Sequence, residues 1–371
     1  MKFIHLADLH VGKRVNEFSM IEDQEYIFRQ ILQIAETEQA DAVIIAGDVY
    51  DRTVPSAEAV RLFDSFLTAL AKQHLNIFMI SGNHDSAERI AFGAELMNSC
   101  GVYVSPVFDG KIIPVTIADQ YGEINVYLLP FLKPAYVRPH FPDLEIESYN
   151  DAMRAVIDSL SLDSTKRNVL VAHQFVTGAE TAGSEELMIG GLDNIDVSVF
   201  DKFDYVALGH IHRSQKIKRD TVRYAGTPLK YSFSEAGHRK TVTILEMQEK
   251  NVINLNYIPL VPLHDLREIK GSFEKIISSE KSSDYLHITL TDEDEIPDVL
   301  GKIRSVYPNV MKLDYDNTRT RAISDVDCAE DVETKTEIQI FAELYQLQNG
   351  QPMSTEQYEF MTNLIEKIKE A

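Results

Sequence analysis

The stretch MKFIHLADLH at residues 1–10 passes from a short apolar run directly into an aspartate and a histidine. Two later stretches also pass from an apolar run into polar residues: AVIIAGDVYD at residues 42–51 leads to Asp48, and IFMISGNHD at residues 77–85 leads to Asn83, His84 and Asp85. Short runs rich in Val, Ile and Phe are typical of strands that are covered on both faces. Because ligand sites of α/β folds collect at the carboxyl ends of strands, the polar residues after these runs are candidates for one shared site.

The segments between the apolar runs are amphipathic and predict helices over Phe18–Thr37, Pro55–Lys72 and Ser86–Met97. Beyond them the strand pattern dominates, interrupted by one helix at about Asn150–Ser161. The strands predicted by the whole pattern are Lys2–Ala7, Ala42–Gly47, Ile77–Ser81, Lys111–Ile117, Ile124–Phe131, Val169–Ala172, Tyr205–Gly209, Thr241–Met247 and Val252–Leu260. This order predicts an α/β fold of two packed sheets flanked by helices, a four-layer α/β/β/α sandwich.

The chain has 371 residues, which is enough for more than one domain. We predict a large domain at residues 1–265, a small α/β domain at 266–322, and an acidic linker followed by two helices at 323–371. Ser354 and Gln357 form a capping-box pattern at the start of the last helix. The two helices, at about Lys335–Gln348 and Ser354–Glu370, fit either a hairpin packed on its own chain or a docking module for a partner.

The formal net charge is −22, the wrong sign for a chain that binds phosphates with Lys and Arg alone. One stretch, Lys202–Lys240, has nine Lys and Arg against three acids and a local charge of +6. It fits either a solvated hairpin face or a surface that faces an anionic substrate. No window reaches the roughly 18 apolar residues of a membrane span. We expect no signal peptide, and the two cysteines, Cys100 and Cys328, suit a reducing cytoplasm.

Five short motifs follow apolar runs and carry side chains that bind metals. They are Asp8-Leu9-His10, Gly47-Asp48, Gly82-Asn83-His84-Asp85, His173 and Gly209-His210-Ile211-His212. Each alone occurs often by chance, but the five in this order predict a centre for two divalent cations. Such cations lie about 3.5–4 Å apart and need a bridging ligand, for which Asp48 is the best candidate. Nitrogen and oxygen ligands without sulfur favour manganese, iron, cobalt or zinc over magnesium.

The order of these motifs resembles that of the calcineurin-like metallophosphoesterases. Six longer stretches narrow the resemblance to the bacterial SbcD nuclease subunits, which are similar in turn to the recombination nuclease of eukaryotes and archaea. They are MKFIHLADLHVGK (1–13), IAGDVYDRTVPS (45–56), MISGNHDSAERI (79–90), VAHQF (171–175), LGHIHRSQ (208–215) and AGTPLKYSFSEAGHRK (225–240). The resemblance covers the whole chain and is strongest over residues 1–240. It implies the metallophosphoesterase sandwich, with the small domain as a capping domain.

The resemblance also implies a role for each motif residue. Asp8, His10, Asp48 and His212 would bind the first cation, and Asp48, Asn83, His173 and His210 the second. His84 would not be a ligand but would face the scissile phosphate and help to protonate the leaving oxygen, with Asp85 orienting it. Archaeal relatives have a histidine where this chain has Asp51, so the role of this position stays open.

The activity implied is that of a manganese-dependent DNA nuclease, a 3′→5′ exonuclease on double strands and an endonuclease on single strands and hairpins. In the family, this subunit works in DNA repair with an SMC-type ATPase, SbcC, as a homodimer within a heterotetramer. The chain has no P-loop pattern, so ATP binding falls to the partner, which the C-terminal helices would dock. The residues of the basic stretch that we expect to contact DNA are Arg213, Lys216, Lys230 and Arg239.

Two other functions are compatible with the motifs. One is a phosphodiesterase or phosphatase that acts on a small molecule or a phosphoprotein, which the motifs alone do not exclude. Against it stand the extra domain and the C-terminal helices, which such an enzyme does not need. The other is a scaffold with a vestigial metal site, which disagrees with the presence of every expected ligand and of His84.

Overall fold

The computed structural model describes residues 1–182, 185, 194–318, 320, 337–349 and 352–369. Its strands are β1 Lys2–Leu6, β2 Arg14–Val15, β3 Phe18–Ser19, β4 Ala42–Ala46, β5 Asn76–Ile80, β6 Val102–Val104, β7 Val115–Asp119, β8 Gly122–Leu129, β9 Arg167–His173, β10 Tyr205–Gly209, β11 Gln215–Ile217, β12 Arg219–Tyr224, β13 Thr241–Met247, β14 Ile253–Pro259, β15 Leu266–Gly271, β16 Tyr285–Leu290 and β17 Val310–Tyr315. Its α-helices are α1 Ile21–Thr37, α2 Ala57–Lys72, α3 Ala87–Ile90, α4 Ala94–Asn98, α5 Pro134–Val137, α6 Tyr149–Asp158, α7 Phe273–Ile277, α8 Val299–Arg304, α9 Glu337–Asn349 and α10 Thr355–Lys369.

Two six-stranded sheets form the centre of the large domain. The first has the order β14-β13-β1-β4-β5-β6, and β1, β4, β5 and β6 run parallel in it. The second has the order β11-β12-β10-β9-β8-β7, with β8, β9, β10 and β12 parallel. In both sheets the parallel strands are neighbours, so their carboxyl ends lie at the same end of the sheet.

The two sheets pack face to face and carry helices on their outer faces. Between them lies an apolar layer that includes Phe3 and Phe78 from the first sheet and Val171 from the second. Ile27 of α1 and Phe66 of α2 are buried on the outer face of the first sheet. On the second sheet, α6 has the same position, with buried side chains that include Met153 and Val156. The predicted four-layer sandwich is therefore confirmed.

The chain divides into two compact units. The first comprises Met1–Lys270, Glu274–Thr289 and Asp298–Asp314, and the second Gly271–Phe273, Leu290–Pro297 and Tyr315–Ala371. The first unit includes most of a small three-stranded sheet in the order β15-β16-β17. Leu266 and Tyr285 of this sheet join the apolar core that contains α1 and α2. The division at residues 265 and 322 stays a prediction.

Three predicted elements differ from the structure. The helix expected from Phe18 begins at Ile21, because Phe18 pairs with Val15 in a two-stranded hairpin. The helix expected at Ser86–Met97 is split into α3 and α4 by Gly93, whose φ of 74° lies in the left-handed region. The strand expected at Lys111–Ile117 begins only at Val115, directly after Pro114, which has no N–H to donate to a neighbouring strand.

The C-terminal helices have nearly the expected bounds, and the capping box of the last one is confirmed. Ser354 N–H donates to Oε1 of Gln357 at 2.8 Å, and Gln357 N–H donates back to Oγ of Ser354 at 3.3 Å. Most of the predicted linker, and Cys328, lie outside the described residues. Within the described part of the chain, the helices are too short or too polar to cross a membrane.

Candidate metal centre

The seven predicted ligands lie at the carboxyl ends of strands from both six-stranded sheets. Asp8 and His10 follow β1, Asp48 follows β4, Asn83 follows β5, His173 ends β9, and His210 and His212 follow β10. All are buried except Asn83, which is half-buried. The packing of the two sheets against each other therefore also brings these side chains to one place.

The backbone at several of these positions is strained. The φ angles of Asp8, His10 and Asp48 are 52°, 44° and 48°, and that of His210 is 100°. Residues other than glycine rarely have such angles, and the surrounding structure must hold them there. Such strain collects at active sites and ligand sites, as it does here.

Glycines allow the loops to approach closely at two points of the site. A Cβ atom on Gly209 would lie 1.9 Å from the carbonyl oxygen of Ala46, across the two sheets. One on Gly82 would lie 2.1 Å from Oδ1 of Asp48. Only a residue without a Cβ fits such contacts, so each glycine is required by the site rather than by a turn alone.

The first group of ligands is Asp8, His10 and His212, whose ligand atoms lie within 4.8 Å of one another. Nε2 of His10 and Nε2 of His212 face each other at 3.2 Å. Oδ1 of Asp8 accepts a hydrogen bond from the backbone N–H of His210 at 2.9 Å. Oδ2 of Asp8 is buried and has no hydrogen-bond partner among the described residues. A buried, unpartnered carboxylate oxygen is an acceptor that a cation would satisfy.

The second group is Asn83, His173 and His210, and Asp48 lies between the two groups. Oδ1 of Asn83 lies 3.0 Å from Nε2 of His173 and 2.9 Å from Nδ1 of His210. Oδ2 of Asp48 lies 3.4 Å from Nε2 of His173 and 3.6 Å from Nε2 of His10. This is the position that a bridging carboxylate requires.

Burial changes the protonation of several ligands. It lowers the pKa of His10 well below its usual value and that of His210 to about 3, so both rings are neutral and can ligate. It raises the pKa of Asp8 to about 7, because no nearby group fully compensates this carboxylate. At His173 burial is outweighed by the Asp48 carboxylate, which raises the pKa of the imidazole to about 9. Imidazoles, carboxylates and an amide oxygen, converging from two sheets, fit a pair of divalent cations.

His84 differs from the ligands in its exposure. Its side chain is 18% exposed, whereas those of His10 and His173 are fully buried. Its Nδ1 lies 3.1 Å from the carbonyl oxygen of Asp51, which can only accept, so Nδ1 carries a proton and Nε2 points away from that bond. Nε2 lies 3.9 Å from Oδ2 of Asp48, within ligand reach of the centre, so its assignment as a non-ligand stays a prediction.

Asp85 and Asp51 both act on the loops around His84. The Asp85 carboxylate accepts hydrogen bonds from the backbone N–H groups of Val49, Tyr50 and Gly82 at 2.9–3.0 Å. It therefore ties together the loops after β4 and β5, and the carbonyl of Asp51 holds the His84 ring. The Asp51 side chain pairs with Nζ of Lys13 at 2.8 Å.

Residues outside the motifs also support the ligands. Nε2 of Gln24 donates to the carbonyl oxygen of His10 at 2.8 Å, and the hydroxyl of Tyr231 donates to that of Leu9 at 2.7 Å. Glu235 lies 3.6 Å from Nδ1 of His212. Their distance along the chain from the motifs leaves no local signal that could have identified them.

The residues of the basic stretch divide into those that form ion pairs on the surface and those that form bonds inside the fold. Arg213 pairs with Glu180, and Lys216 pairs with Asp220 at 2.8 Å, both on the surface. Lys230 is 12% exposed and its amine is held by Asp265 at 2.9 Å and by the carbonyl of Ala236 at 2.7 Å, so it is committed to the fold. Arg239 is exposed.

A small pocket of about 160 Å³ lies directly beside the ligand His212, lined by Arg213, His238 and Arg239 among others. Two predicted DNA contacts are thus adjacent to the metal centre, whereas the Lys230 amine is used internally.

Comparisons with known proteins find matches over most of the chain. Residues 1–214 match the calcineurin-like phosphoesterase family, and residues 262–349 match the family described as the type 5 capsule protein repressor C-terminal domain. The SbcD component of the nuclease SbcCD from Staphylococcus epidermidis is 35% identical over 321 residues, which cover 84% of this chain and 85% of that protein.

Solved structures of similar fold include a dimetal phosphatase from Danio rerio. It is 12% identical, with a TM-score of 0.43, and the match covers 70% of this chain and 99% of that one. A structure from Thermus thermophilus is also 12% identical, with a TM-score of 0.40, and its match covers 69% of this chain and 98% of that one.

Proposed function

Because the chain belongs to the calcineurin-like phosphoesterases and, within them, to the SbcD nuclease subunits, it is a metal-dependent phosphodiesterase, and we propose that it cleaves DNA as a 3′→5′ exonuclease on double strands and an endonuclease on single strands and hairpins. The observation that carries the proposal is the convergence of Asp8, His10, Asp48 and His173 from two sheets on one point, beside a single half-exposed histidine, His84. Repair and recombination of broken DNA would be its setting.

The chain's own residues divide the chemistry between them. Two divalent cations, when bound, activate water and neutralise the charge of the phosphate. The mixed nitrogen and oxygen ligands support manganese as the metal. His84 donates a proton to the leaving oxygen from Nε2, and the carbonyl of Asp51 keeps that nitrogen directed at the substrate. The buried Asp85 fixes the loop that presents His84.

The DNA would run from the metal centre along the pocket beside His212. Arg213 and Arg239 line that pocket and supply the positive charge that a phosphate chain needs in a strongly acidic protein. Lys216, in β11 three residues after Arg213, is also on the surface and adds positive charge beyond the pocket. Lys230 contributes by holding the loop in place rather than by contact, since its amine is already bonded.

The C-terminal helices support a docking site for an SbcC-like, SMC-type ATPase. Within the second unit, α9 and α10 leave apolar side chains exposed, with Leu344 at 50%, Phe360 at 67% and Leu364 at 40%. A helical or coiled-coil partner would bury such a surface. A charge placed at Phe360 (Phe360→Asp) should abolish binding of the ATPase in a pull-down without changing the metal content of the chain.

A homodimer is supported by exposed apolar side chains of the first unit, Phe92 and Leu96 around α4 and Val60 in α2. Phe92 is 85% exposed, Leu96 80% and Val60 41%, which is unusual for large apolar side chains of a monomer. We place the complex in the cytoplasm, since the exposed free thiol of Cys100 suits a reducing compartment.

The experiment that tests the function is cleavage of single-stranded and hairpin DNA by the purified chain with manganese, with chelator and His84→Asn samples beside it. Loss of the general acid should lower the rate by about 10²–10⁴-fold. The matched control is His74→Asn, at a histidine that the site does not use. Hydrolysis of phosphopeptides or small phosphodiesters without any cleavage of DNA would contradict the proposal and favour the alternative substrates.

A further inference from the structure

A buried ion pair lies beside the metal ligand His212. The carboxylate of Glu235 is fully buried, and Nζ of Lys240 donates to its Oε2 at 2.5 Å. The same amine donates to Oγ1 of Thr227 at 2.6 Å and to the carbonyl oxygen of His212 at 3.0 Å. Both charged groups are therefore directed at one residue, His212, from the 227–240 loop.

The His212 ring lies between this pair and the cation site. Oε1 of Glu235 is 3.6 Å from Nδ1, on one side of the ring. Nε2, on the other side, faces Nε2 of His10 at 3.2 Å. A carboxylate beside Nδ1 favours the tautomer that has its proton there, which places the ring's lone pair on Nε2, on the side of the cation site.

The pair also holds the backbone of His212. Its carbonyl oxygen accepts from Nζ of Lys240 and from the backbone N–H of Thr227, at 3.0 Å and 3.1 Å. The carbonyl and the ring of His212 are thus positioned from the same loop. His212 lies two residues after His210, whose φ of 100° is strained, so this end of the β10 loop needs external support.

Stability alone is a weak reason for such a pair. Taking two charges out of water is costly, and apolar residues of similar volume often stabilise a fold equally well. A carboxylate adjacent to a metal-binding imidazole has another use, since it fixes the ring and raises its basicity.

We propose that Glu235 and Lys240 are positioning residues for the first cation, acting through His212. The proposal rests on the metal centre of the proposed function and adds to it a support that the five motifs do not contain. Glu235 sets the tautomer and direction of the His212 ring, and Lys240 holds both Glu235 and the His212 carbonyl. Neither residue contacts the substrate or serves as a ligand in this account.

The test compares two variants of the full chain. Glu235→Gln removes the carboxylate and leaves the Lys240 charge buried without its partner, so it combines a positioning defect with a folding defect. The double variant Glu235→Leu/Lys240→Met replaces both charges with apolar side chains, which relieves the folding defect but not the positioning defect. Asp204→Asn is the matched control, since Asp204 has a buried carboxylate paired with Lys250 at 2.7 Å, outside the metal centre.

Manganese binding is measured directly by titration calorimetry, and unfolding is measured by chemical denaturation on the same samples. We expect the double variant to unfold at a denaturant concentration close to that of the wild type, and to bind one of its two manganese ions about 10–100-fold more weakly. Its hydrolysis of bis-p-nitrophenyl phosphate should recover at high manganese, so the defect lies in metal affinity rather than in turnover. Asp204→Asn should lose stability and keep both affinities.

Three results would overturn the proposal. If the double variant binds both ions as the wild type does, Glu235 and Lys240 have only a structural role, and the proposed function stands. If the wild type itself binds no manganese, the metal centre fails, and the positioning role fails with it. A folded Glu235→Gln chain with unchanged affinity for both ions would also contradict the positioning role.

Discussion

Substitution of Gly82 by alanine should disable the metal centre through a single added methyl group. The Cβ atom would lie 2.1 Å from Oδ1 of Asp48, 2.4 Å from its backbone nitrogen and 2.7 Å from its Cγ. Because both the backbone and the side chain of Asp48 are in the way, a change of rotamer does not relieve the clash. Asp48 lies between the two ligand groups, so both cations depend on its position.

The size of the effect follows from the distance. Real Cβ contacts essentially never fall below 3.0 Å, so the carboxylate oxygen or the Gly82 loop must move by ~0.9 Å. A displacement of about 1 Å at a catalytic site costs about 10²-fold in rate. Overpacking of a closely packed interior costs about 1–3 kcal/mol of stability in addition. Oδ1 of Asp48 also accepts from the backbone N–H of His84 at 2.9 Å, so His84, the proposed general acid, moves with it.

The assay is hydrolysis of bis-p-nitrophenyl phosphate across a manganese titration, with bound metal counted on the same protein. The control is Gly237→Ala, because no atom lies within 4 Å of a Cβ at that position. We expect Gly82→Ala to lose at least about 10²-fold in rate and to bind manganese more weakly, while Gly237→Ala behaves like the wild type. Wild-type rate and metal content in Gly82→Ala would refute the described position of Asp48.

Three further predictions concern the bridge, the core and the dimer. Asp48→Asn should lower the metal content below two manganese ions per chain, and mass spectrometry of the native protein would measure it. Burial lowers the pKa of His5 to about 3, against about 6.5 in the unfolded chain, so between these values the unfolded state binds the extra proton and stability falls as the pH falls. From pH 8 to pH 5 the contribution of His5 amounts to about 2 kcal/mol, so chemical denaturation should show a fall in stability that is smaller by about this amount in His5→Asn than in the wild type. Phe92→Asp, at a side chain that is 85% exposed, should convert a dimer into a monomer in sedimentation experiments while leaving the hydrolysis of small substrates intact.

The strand-end motifs could be predicted from the sequence because the residues that follow the apolar strands are also the residues that can bind metals. Buried parallel strands read as apolar runs, and the next residues must be ligands or turns, so Asp8, Asp48 and His173 stand out without any structure. The amphipathic pattern at Ser86–Met97 predicts one continuous helix. Gly93, in the left-handed region, divides it into α3 and α4, although the apolar pattern continues past this residue. Hydrophobic periodicity indicates which residues are buried, but it does not show where a single residue interrupts a helix.

The support of the site could not be predicted in the same way. The carbonyl of Asp51 holds the His84 ring, and a carbonyl group has no sequence signal because every residue has one. Glu235 lies beside His212 only because of the way the 227–240 loop folds. In the same loop, the amine of Lys230 donates to the carbonyl oxygen of Ala236 and is therefore used within the fold. Counts of charged residues locate the basic stretch in the sequence. They do not show which of its side chains bond within the fold and which stay on the surface.

The most direct test of the central claim is the number of divalent cations bound by the wild-type chain, measured together with its hydrolysis of bis-p-nitrophenyl phosphate. We expect two manganese ions per chain, and hydrolysis that rises as the second ion binds and is abolished by chelator. A chain that holds two ions without hydrolysing the phosphodiester, or that hydrolyses it equally well in chelator, would contradict a two-cation phosphodiesterase.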